Sequence, residues 1–278
     1  MEEVLRIENL KQHFVSGRGI FKKGYIVKAV DGVSFSVAQG ETLGLVGESG
    51  CGKSSLGRTI LKLYEPTEGK IFFEGRDITG LSARQMRPLR KDMQIVFQDP
   101  LESLNQRHTV GMILEEPFII HNIGTPAERK VWVKSLLGKV GLSKSALGRY
   151  PHEFSGGQRQ RIGIARAIAL KPKLLICDES VSALDVSVQA QILNLLLRLQ
   201  KEMDLAIIFI SHDLSVVRHI SDRVAVMYLG RIVELGAVNA IYESPQADYT
   251  KTLLSAIPAT HPKYRKRKKH QATSENVA

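Results

Sequence analysis

The stretch VGESGCGKSSL, residues 46–56, sets two glycines, separated by four residues, beside a lysine and a serine. It follows an apolar run and precedes helical spacing, so successive backbone N–H groups can converge at a helix N-terminus, where anions bind. Glycine allows the close approach and the positive φ angles that such a loop needs. Lys53 would then reach the β- and γ-phosphates of a nucleotide, and the Ser54 hydroxyl would ligate magnesium. The alternative is a glycine turn without a ligand. The residues predicted to bind the nucleotide here are Gly47, Glu48, Ser49, Gly50, Cys51, Gly52, Lys53, Ser54 and Ser55.

A second candidate site lies at LLICDES, where four apolar residues lead into Asp178 and Glu179. Two carboxylates at the end of a buried strand are costly unless they hold a cation or a proton. Asp178 suits a water-mediated contact to magnesium, and Glu179 suits a general base that activates an attacking water. The alternative is a strand that ends in solvated acids.

The elements around these motifs alternate between strand and helix. Strands are predicted at 42–46, 70–75, 93–97, 173–177, 206–210 and 223–229, and helices at 54–63 and 186–203. In the second helix one face carries Val188, Ile192, Leu195, Leu199 and Met203. Residues 101–170 have helical spacing and no clear strand, which indicates an inserted helical subdomain. Together these patterns predict an α/β fold with helices packed on a sheet.

Composition limits the classes of protein. The 278 residues are 43% hydrophobic and 24% charged, an ordinary globular balance without an apolar run long enough to span a membrane or an N-terminal signal peptide. The two cysteines, Cys51 and Cys177, predict a cytosolic, reducing setting with neither a disulfide framework nor a zinc site.

The net charge of +11 is concentrated partly in residues 259–278, where six lysines and arginines stand against one glutamate. We expect this segment to be a disordered, solvated basic tail. Two alternatives stay open: attraction to anionic lipid headgroups, and binding to nucleic acid, for which little aromatic interleaving is present.

A third motif, EFSGGQRQR at Glu153–Arg161, resembles the signature motif of the ABC ATPase superfamily, although Phe154 stands where leucine is commoner. Other superfamily marks occur in the expected order: Gln98 after a strand, SALD at 182–185 after Glu179, and His212 after a strand. The resemblance covers residues 1–258. It implies a P-loop NTPase of the ABC ATPase fold, with a RecA-like core, an antiparallel β subdomain and an inserted helical subdomain at about 101–170.

The resemblance also implies roles for individual residues. Two ATP molecules would be sandwiched in a head-to-tail dimer, each held by the glycine loop of one chain and the signature of the other. Gln98 would contact magnesium or the attacking water, and His212 would hydrogen-bond the γ-phosphate. Tyr25 is predicted to stack on adenine, with Phe14 and Phe21 as alternatives. The residues implied to reach the partner's nucleotide are Ser155, Gly156, Gly157, Gln158 and Asp185. The predicted catalytic residues are Lys53, Gln98, Glu179 and His212, and the predicted metal ligands are Ser54, Gln98 and Asp178.

Several longer stretches, including QIVFQDPLESLN and SPQADYTKTLLSAIP, resemble the ATP-binding subunits of oligopeptide and dipeptide importers. This implies a peripheral ATPase at the cytoplasmic face of the inner membrane, docked on two permease subunits and fed by an extracytoplasmic binding protein. The partner ATPase is usually a paralogue. Because no cysteine follows Cys177, the iron–sulfur cluster of many relatives is not expected. Nickel or another small substrate, or a soluble ABC ATPase that acts on nucleic acid, are the alternative functions.

Overall fold

A computed structural model gives the structure of the protein, which is described over residues 2–16, 25–99 and 103–256. The strands are β1 (Glu3–Ser16), β2 (Tyr25–Ala38), β3 (Thr42–Val46), β4 (Glu68–Phe73), β5 (Arg76–Asp77), β6 (Met93–Val96), β7 (Leu174–Asp178), β8 (Ala206–Ser211), β9 (Arg223–Tyr228) and β10 (Arg231–Ala237). The helices are α1 (Lys53–Ile60), α2 (Ala83–Met86), α3 (Val110–Ile120), α4 (Pro126–Lys139), α5 (Gly156–Ile168), α6 (Val186–Met203), α7 (Leu214–Ile220), α8 (Val238–Glu243) and α9 (Asp248–Ser255).

The larger sheet has the strand order β10-β9-β3-β8-β7-β6, and only β10 runs antiparallel to its neighbour. Its central strands are covered on both faces, so every residue of β3, β7 and β8 is buried. Such strands are continuous apolar runs, because both faces need apolar side chains. The α/β prediction is confirmed, and the strands predicted from apolar runs are present to within two residues at each end.

The two faces of this sheet belong to separate clusters of buried side chains. Along β8, Ile207 and Phe209 join the cluster that includes the helical segment, whereas Ile208 and Ile210 join the cluster beneath the second sheet. This alternation follows from the period of two in a strand, which sends neighbouring side chains to opposite faces. The sheet therefore lies between two apolar cores.

A second sheet, of order β2-β1-β4-β5, is antiparallel throughout and covers one of these cores. This confirms the antiparallel β subdomain. Its two long strands, β1 and β2, pair from Glu3↔Ala38 to Ser16↔Tyr25 with several register shifts. Bulges of this kind increase twist and bend a strand, which lets the pair curve over the core.

Residues 109–168 are mostly helical, and each helix starts at a capping residue. The hydroxyls of Thr109, Thr125 and Ser155 accept hydrogen bonds from the backbone N–H three residues later. Capping satisfies N–H groups that have no partner within the helix. These helices lie where the inserted helical subdomain was expected. The exact subdomain limits and the boundary at 258 stay predictions, and the predicted tail 259–278 lies outside the described residues. None of the helices described here is both long and apolar enough to cross a bilayer.

Candidate active site

Four predicted functional segments meet at one edge of the larger sheet. The glycine loop follows β3, Gln98 follows β6, Asp178 ends β7 and His212 follows β8. These strands are parallel and lie side by side in the order β3-β8-β7-β6, so their carboxyl ends share one edge. In open α/β sheets this edge is where ligands bind.

Two glycines of the loop lie where an added side chain would press on neighbouring backbone. Gly52 has φ +110°, and a Cβ there would lie 1.9 Å from the carbonyl oxygen of Ala29. A Cβ on Gly47, at φ +154°, would lie 2.2 Å from the carbonyl oxygen of Met227. Both atoms belong to the backbone, which moves aside at a greater cost than the end of a flexible side chain. Glycine is therefore favoured because the loop packs directly on neighbouring strands.

Lys53, the first residue of α1, is only 3% exposed. Its Nζ donates to the carbonyl oxygens of Gly47 at 2.8 Å and Glu48 at 2.9 Å, and it lies 3.8 Å from Sγ of Cys51. The ammonium group thus sits within the loop at a helix N-terminus, where partial positive charge already favours an anion. A phosphate in this loop would meet the lysine and the backbone N–H groups together.

Ser54 and Asp178 form a direct pair. The Ser54 hydroxyl donates to Oδ1 of Asp178 at 2.7 Å, and the Asp178 side chain is 5% exposed. Burial raises the pKa of Asp178, while the Ser54 hydrogen bond and the Arg58 guanidinium, 3.8 Å away, act in the opposite direction. A buried carboxylate and hydroxyl offer the hard oxygen ligands that Mg²⁺ prefers.

Gln98, Glu179 and His212 meet through one oxygen atom. Nε2 of Gln98 donates to Oε2 of Glu179 at 3.2 Å, and Nδ1 of His212 lies 3.3 Å from the same oxygen. Glu179 has φ +48°, and its N–H donates to the carbonyl oxygen of Ile210 at 3.0 Å. This backbone turn directs the chain out of β7 immediately after Asp178. A carboxylate with an amide and an imidazole beside it can accept a proton from a water held between them.

The residues around the glycine loop line an open cleft of about 700 Å³. The predicted site residues that line this cleft are Lys53, Gln98, Glu179, Ser49, Gly50, Cys51, Gly52, Ser54 and Ser55. Gly47 and Glu48 flank this lining, and the Glu48 N–H donates to the hydroxyl of Tyr249. Asp178 contacts the lining residue Ser54, and His212 contacts the lining residue Glu179.

The aromatic residue that the described lining contains is Phe14, not Tyr25. Tyr25 begins β2 and is 63% exposed. Phe21 lies outside the described residues. The stacking partner of adenine stays a prediction, and the position of Phe14 favours the alternative over Tyr25.

The signature residues lie apart from this cleft. Ser155 caps α5 by accepting from the N–H of Gln158 at 3.4 Å, and Asp185 precedes the first turn of α6. Gly156 and Gly157 form the first turn of α5, and a Cβ on Gly157 would lie 2.4 Å from Cγ1 of Val188. None of these signature residues lines the cleft of its own chain, which is the arrangement expected if they act on a partner's nucleotide.

Sequence reasoning missed several residues of the site. Lys28, Leu229 and Gly230 line the cleft, Arg58 lies beside Asp178, and Tyr249 contacts the loop. The Leu229-Gly230 pair, between two apolar runs, is a turn signal that could have been noticed. Lys28 and Tyr249 carry no local signal, because only the tertiary fold brings them to the loop.

The described residues contain no group of three or more His, Cys, Asp and Glu side chains placed to hold a metal ion. Of the predicted metal ligands, Ser54 and Asp178 lie together through their hydrogen bond, and Gln98 lines the same cleft as Ser54. A cation held by these residues would draw its remaining ligands from water and from the phosphates of a nucleotide. This ligand set is typical of Mg²⁺, which uses few protein ligands and the substrate phosphates.

A strand, a glycine loop and a helix that begins with Lys-Ser, beside an acidic pair at the end of a parallel strand, define a P-loop nucleoside triphosphatase. A family model described as "ABC transporter" matches residues 30–182. The chain is 58% identical over 261 residues to the oligopeptide transport ATP-binding protein AppF of Bacillus subtilis, covering 93% of this chain and 79% of that protein. It is 52% identical to OppF of the same organism, covering 99% of this chain and 89% of OppF.

Solved structures agree with this assignment. The ATP-binding cassette MJ0796, in a dimeric post-hydrolysis state bound to ADP and Pi, superposes with a TM-score of 0.75 at 26% identity, covering 84% of this chain and 98% of that one. CbiO1 of Clostridium perfringens, part of an ABC transporter complex, gives 0.76 at 28% identity, covering 88% and 92%. The chain therefore belongs to the ABC transporter family, and it is an ATPase that binds ATP.

Proposed function

We propose that this protein is the ATP-binding and ATP-hydrolysing subunit of a membrane importer for oligopeptides or dipeptides. The observation that carries the proposal is its identity of 52–58% with oligopeptide transport ATP-binding proteins over nearly the whole chain. Glycine loop, acidic pair, glutamine and histidine all lie at one sheet edge, which supports an active site rather than a site for binding alone.

Lys53 and the loop amides bind the β- and γ-phosphates in this proposal. Ser54, Asp178 and Gln98 are the candidate ligands of Mg²⁺, which would neutralise phosphate charge when bound. The direct hydrogen bond between Ser54 and Asp178 supports this assignment, because it brings two possible oxygen ligands of the metal together at a partly buried position. Gln98 reaches the same region from the end of β6.

Glu179 is the proposed general base, and His212 and Gln98 position it. Their shared contact with Oε2 holds the carboxylate in one place before nucleotide binds. His212 would also donate a hydrogen bond to the γ-phosphate. The proton of the attacking water passes to Glu179 as the water oxygen attacks the γ-phosphorus, which releases ADP and inorganic phosphate.

The signature residues act on a partner ATPase, most simply a paralogue. The position of Ser155, Gly156 and Gly157 outside the cleft supports this, as does the dimeric state of the similar cassette MJ0796. ATP holds the two chains together because its γ-phosphate contacts both, and hydrolysis removes that link. This is a two-state element biased by its ligand.

The proposed domain boundaries are 1–258 for the ATPase domain and about 101–170 for its helical subdomain, which passes the motion to two permease subunits. An extracytoplasmic binding protein supplies the substrate, and the ATPase is a peripheral protein at the cytoplasmic face of the inner membrane. Nickel or another small substrate is the alternative cargo.

Purification of the native complex from membranes tests the proposal. We expect two permease subunits and a second ATPase to accompany the chain, and peptides to stimulate ATP hydrolysis when the binding protein is present. The purification is repeated with a variant that lacks residues 259–278, so that the charge of the basic tail cannot hold the chain to membranes or to nucleic acid. A truncated chain that leaves the membrane fraction and retains nucleic acid would favour the soluble alternative.

A further inference from the structure

The C-terminal helix α9 (Asp248–Ser255) contacts the phosphate loop. Its residue Tyr249 accepts a hydrogen bond at 3.3 Å from the backbone N–H of Glu48, which is 201 positions earlier in the chain. The proposed steps of ATP hydrolysis do not involve α9. The contact between Tyr249 and Glu48 connects this helix to the phosphate loop.

Glu48 is held on both sides of its backbone. Its N–H meets the Tyr249 hydroxyl, while its carbonyl oxygen accepts from Nζ of Lys53 at 2.9 Å and from the N–H of Cys51 at 3.3 Å. Tyr249 therefore restrains the residue from which Lys53 and the loop take their positions. If the Tyr249 hydroxyl were lost, the N–H of Glu48 would hydrogen-bond only to water, and the loop would no longer be held at this point.

Tyr249 also contacts Tyr228, a residue next to the turn that lines the cleft. Its ring packs on Tyr228 with centroids 4.2 Å apart. Tyr228 leads into the turn that lines the cleft, and the N–H of Gly230 in that turn donates to the carbonyl oxygen of Cys51 at 3.0 Å. The aromatic pair thus joins the loop from two directions.

The start of α9 is anchored separately by Glu234 on β10. Its carboxylate accepts from the backbone N–H of Gln246 at 2.7 Å and of Ala247 at 3.1 Å. A carboxylate at a helix N-terminus satisfies free N–H groups and interacts favourably with the helix dipole. Glu234 therefore holds the start of the helix that carries Tyr249.

We propose that Tyr249 is a positioning residue that preorganises the phosphate loop for ATP, with Glu234 acting through it. The inference rests on the phosphate-binding role proposed for residues 47–55. A restrained loop loses less conformational freedom when the phosphates bind, so the restraint raises affinity without taking part in the chemical step.

Tyr249→Phe removes the hydroxyl and keeps the ring. Tyr228→Phe is the matched control, since it belongs to the same aromatic pair and its hydroxyl has no hydrogen-bond partner among the described residues. We expect the Kd of the full chain for MgATP, measured by calorimetry, to rise about 2- to 10-fold in Tyr249→Phe, the size of one ordinary hydrogen bond. Tyr228→Phe should match the wild type.

In the assembled transporter, Tyr249→Phe should raise KM for ATP by a similar factor and leave kcat at saturating ATP unchanged. A loss of folding alone would lower kcat in proportion to the active fraction and leave KM unchanged. Equal Kd values for Tyr249→Phe and Tyr228→Phe would overturn the proposal, as would a fall in kcat at constant KM.

Glu234→Ala tests the anchoring step. It should raise Kd for MgATP in the same direction, and the double variant with Tyr249→Phe should show less than the product of the two factors, because both act through one contact. If the Kd of the double variant rose by the full product of the two single factors, Glu234 would act independently of Tyr249, and its anchoring role would be excluded. A wild-type chain that does not bind MgATP would overturn the proposed function itself.

Discussion

Oε2 of Glu179 lies 3.3 Å from Nδ1 of His212, and the two residues follow neighbouring parallel strands. The sheet register therefore fixes their separation, since β7 and β8 pair from Leu174↔Ala206 to Asp178↔Ile210. The proposed base and its proposed orienting group, placed at adjacent strand ends, meet without a loop rearrangement. This relationship makes Glu179 the first residue to test.

Glu179→Gln should leave ATP binding intact and slow hydrolysis at this chain's own site by about 10²–10⁴, because the amide keeps the shape but cannot take a proton. Single-turnover hydrolysis in the assembled transporter measures the rate, and MgATP binding by the full chain serves as the reference. Glu202→Gln, an exposed glutamate at the end of α6, is the control. Near-normal turnover in Glu179→Gln would exclude it as the base.

Ser155→Arg should impair hydrolysis at the partner's site more than at this chain's own, because Ser155 lies outside its own cleft. Site-resolved nucleotide trapping with a marked partner distinguishes the two sites. Ser143→Arg is the matched control, since Ser143 also caps a helical turn in this part of the chain. Both variants lose a capping bond worth about 1 kcal/mol, so only the site effect should differ between them. If hydrolysis were impaired only at this chain's own site, the proposed head-to-tail dimer with ATP between the two chains would be contradicted.

The strands that position the site were predictable from local sequence. In β3, β7 and β8 both faces are buried, so TLGLV, LLICD and AIIFIS are apolar without interruption. The 14-residue strands β1 and β2 give no such pattern, because bulges shift their register and one face meets solvent. Only the family resemblance predicted their sheet.

The catalytic edge was likewise predictable, because each motif follows directly after an apolar strand. The walls of the cleft were not. Lys28 comes from β2 and Gly230 from the turn after β9, and neither has a spacing that relates it to Gly52. Tyr249 is more distant still, and only tertiary packing brings it to Glu48. Long-range contacts of this kind leave no periodic trace in one sequence.

The two cysteines should differ sharply in reactivity. Cys177 is fully buried in β7, and desolvation raises the pKa of its thiol to about 12, so almost no thiolate exists at neutral pH. Cys51 is also buried, at 7% exposure, and burial raises the pKa of its thiol as well, but it lines the cleft. Maleimide should therefore modify the native chain slowly, at Cys51 and not at Cys177, and MgATP should slow that modification further by occupying the cleft.

Mass spectrometry of the labelled peptides measures this difference. Cys51→Ser should stay unlabelled when native and take one label in denaturant, whereas Cys177→Ser should label like the wild type. Labelling of Cys177 in the native chain, or labelling of Cys51 that MgATP leaves unchanged, would contradict the assignment of the cleft to the nucleotide.

Gly50 and Gly52 separate the conformational role of a loop glycine from its packing role. Both have positive φ, +81° and +110°, but a Cβ on Gly50 meets nothing within 4 Å, whereas one on Gly52 would lie 1.9 Å from the Ala29 carbonyl oxygen. Gly50→Ala should lower the free energy of unfolding of the nucleotide-free chain by about 1–2 kcal/mol, the cost of a left-handed alanine. Gly52→Ala should lower it by about 1–3 kcal/mol more, because the backbone of β2 must shift. Equilibrium unfolding in urea compares the two variants, and equal losses would show that the loop does not press on β2.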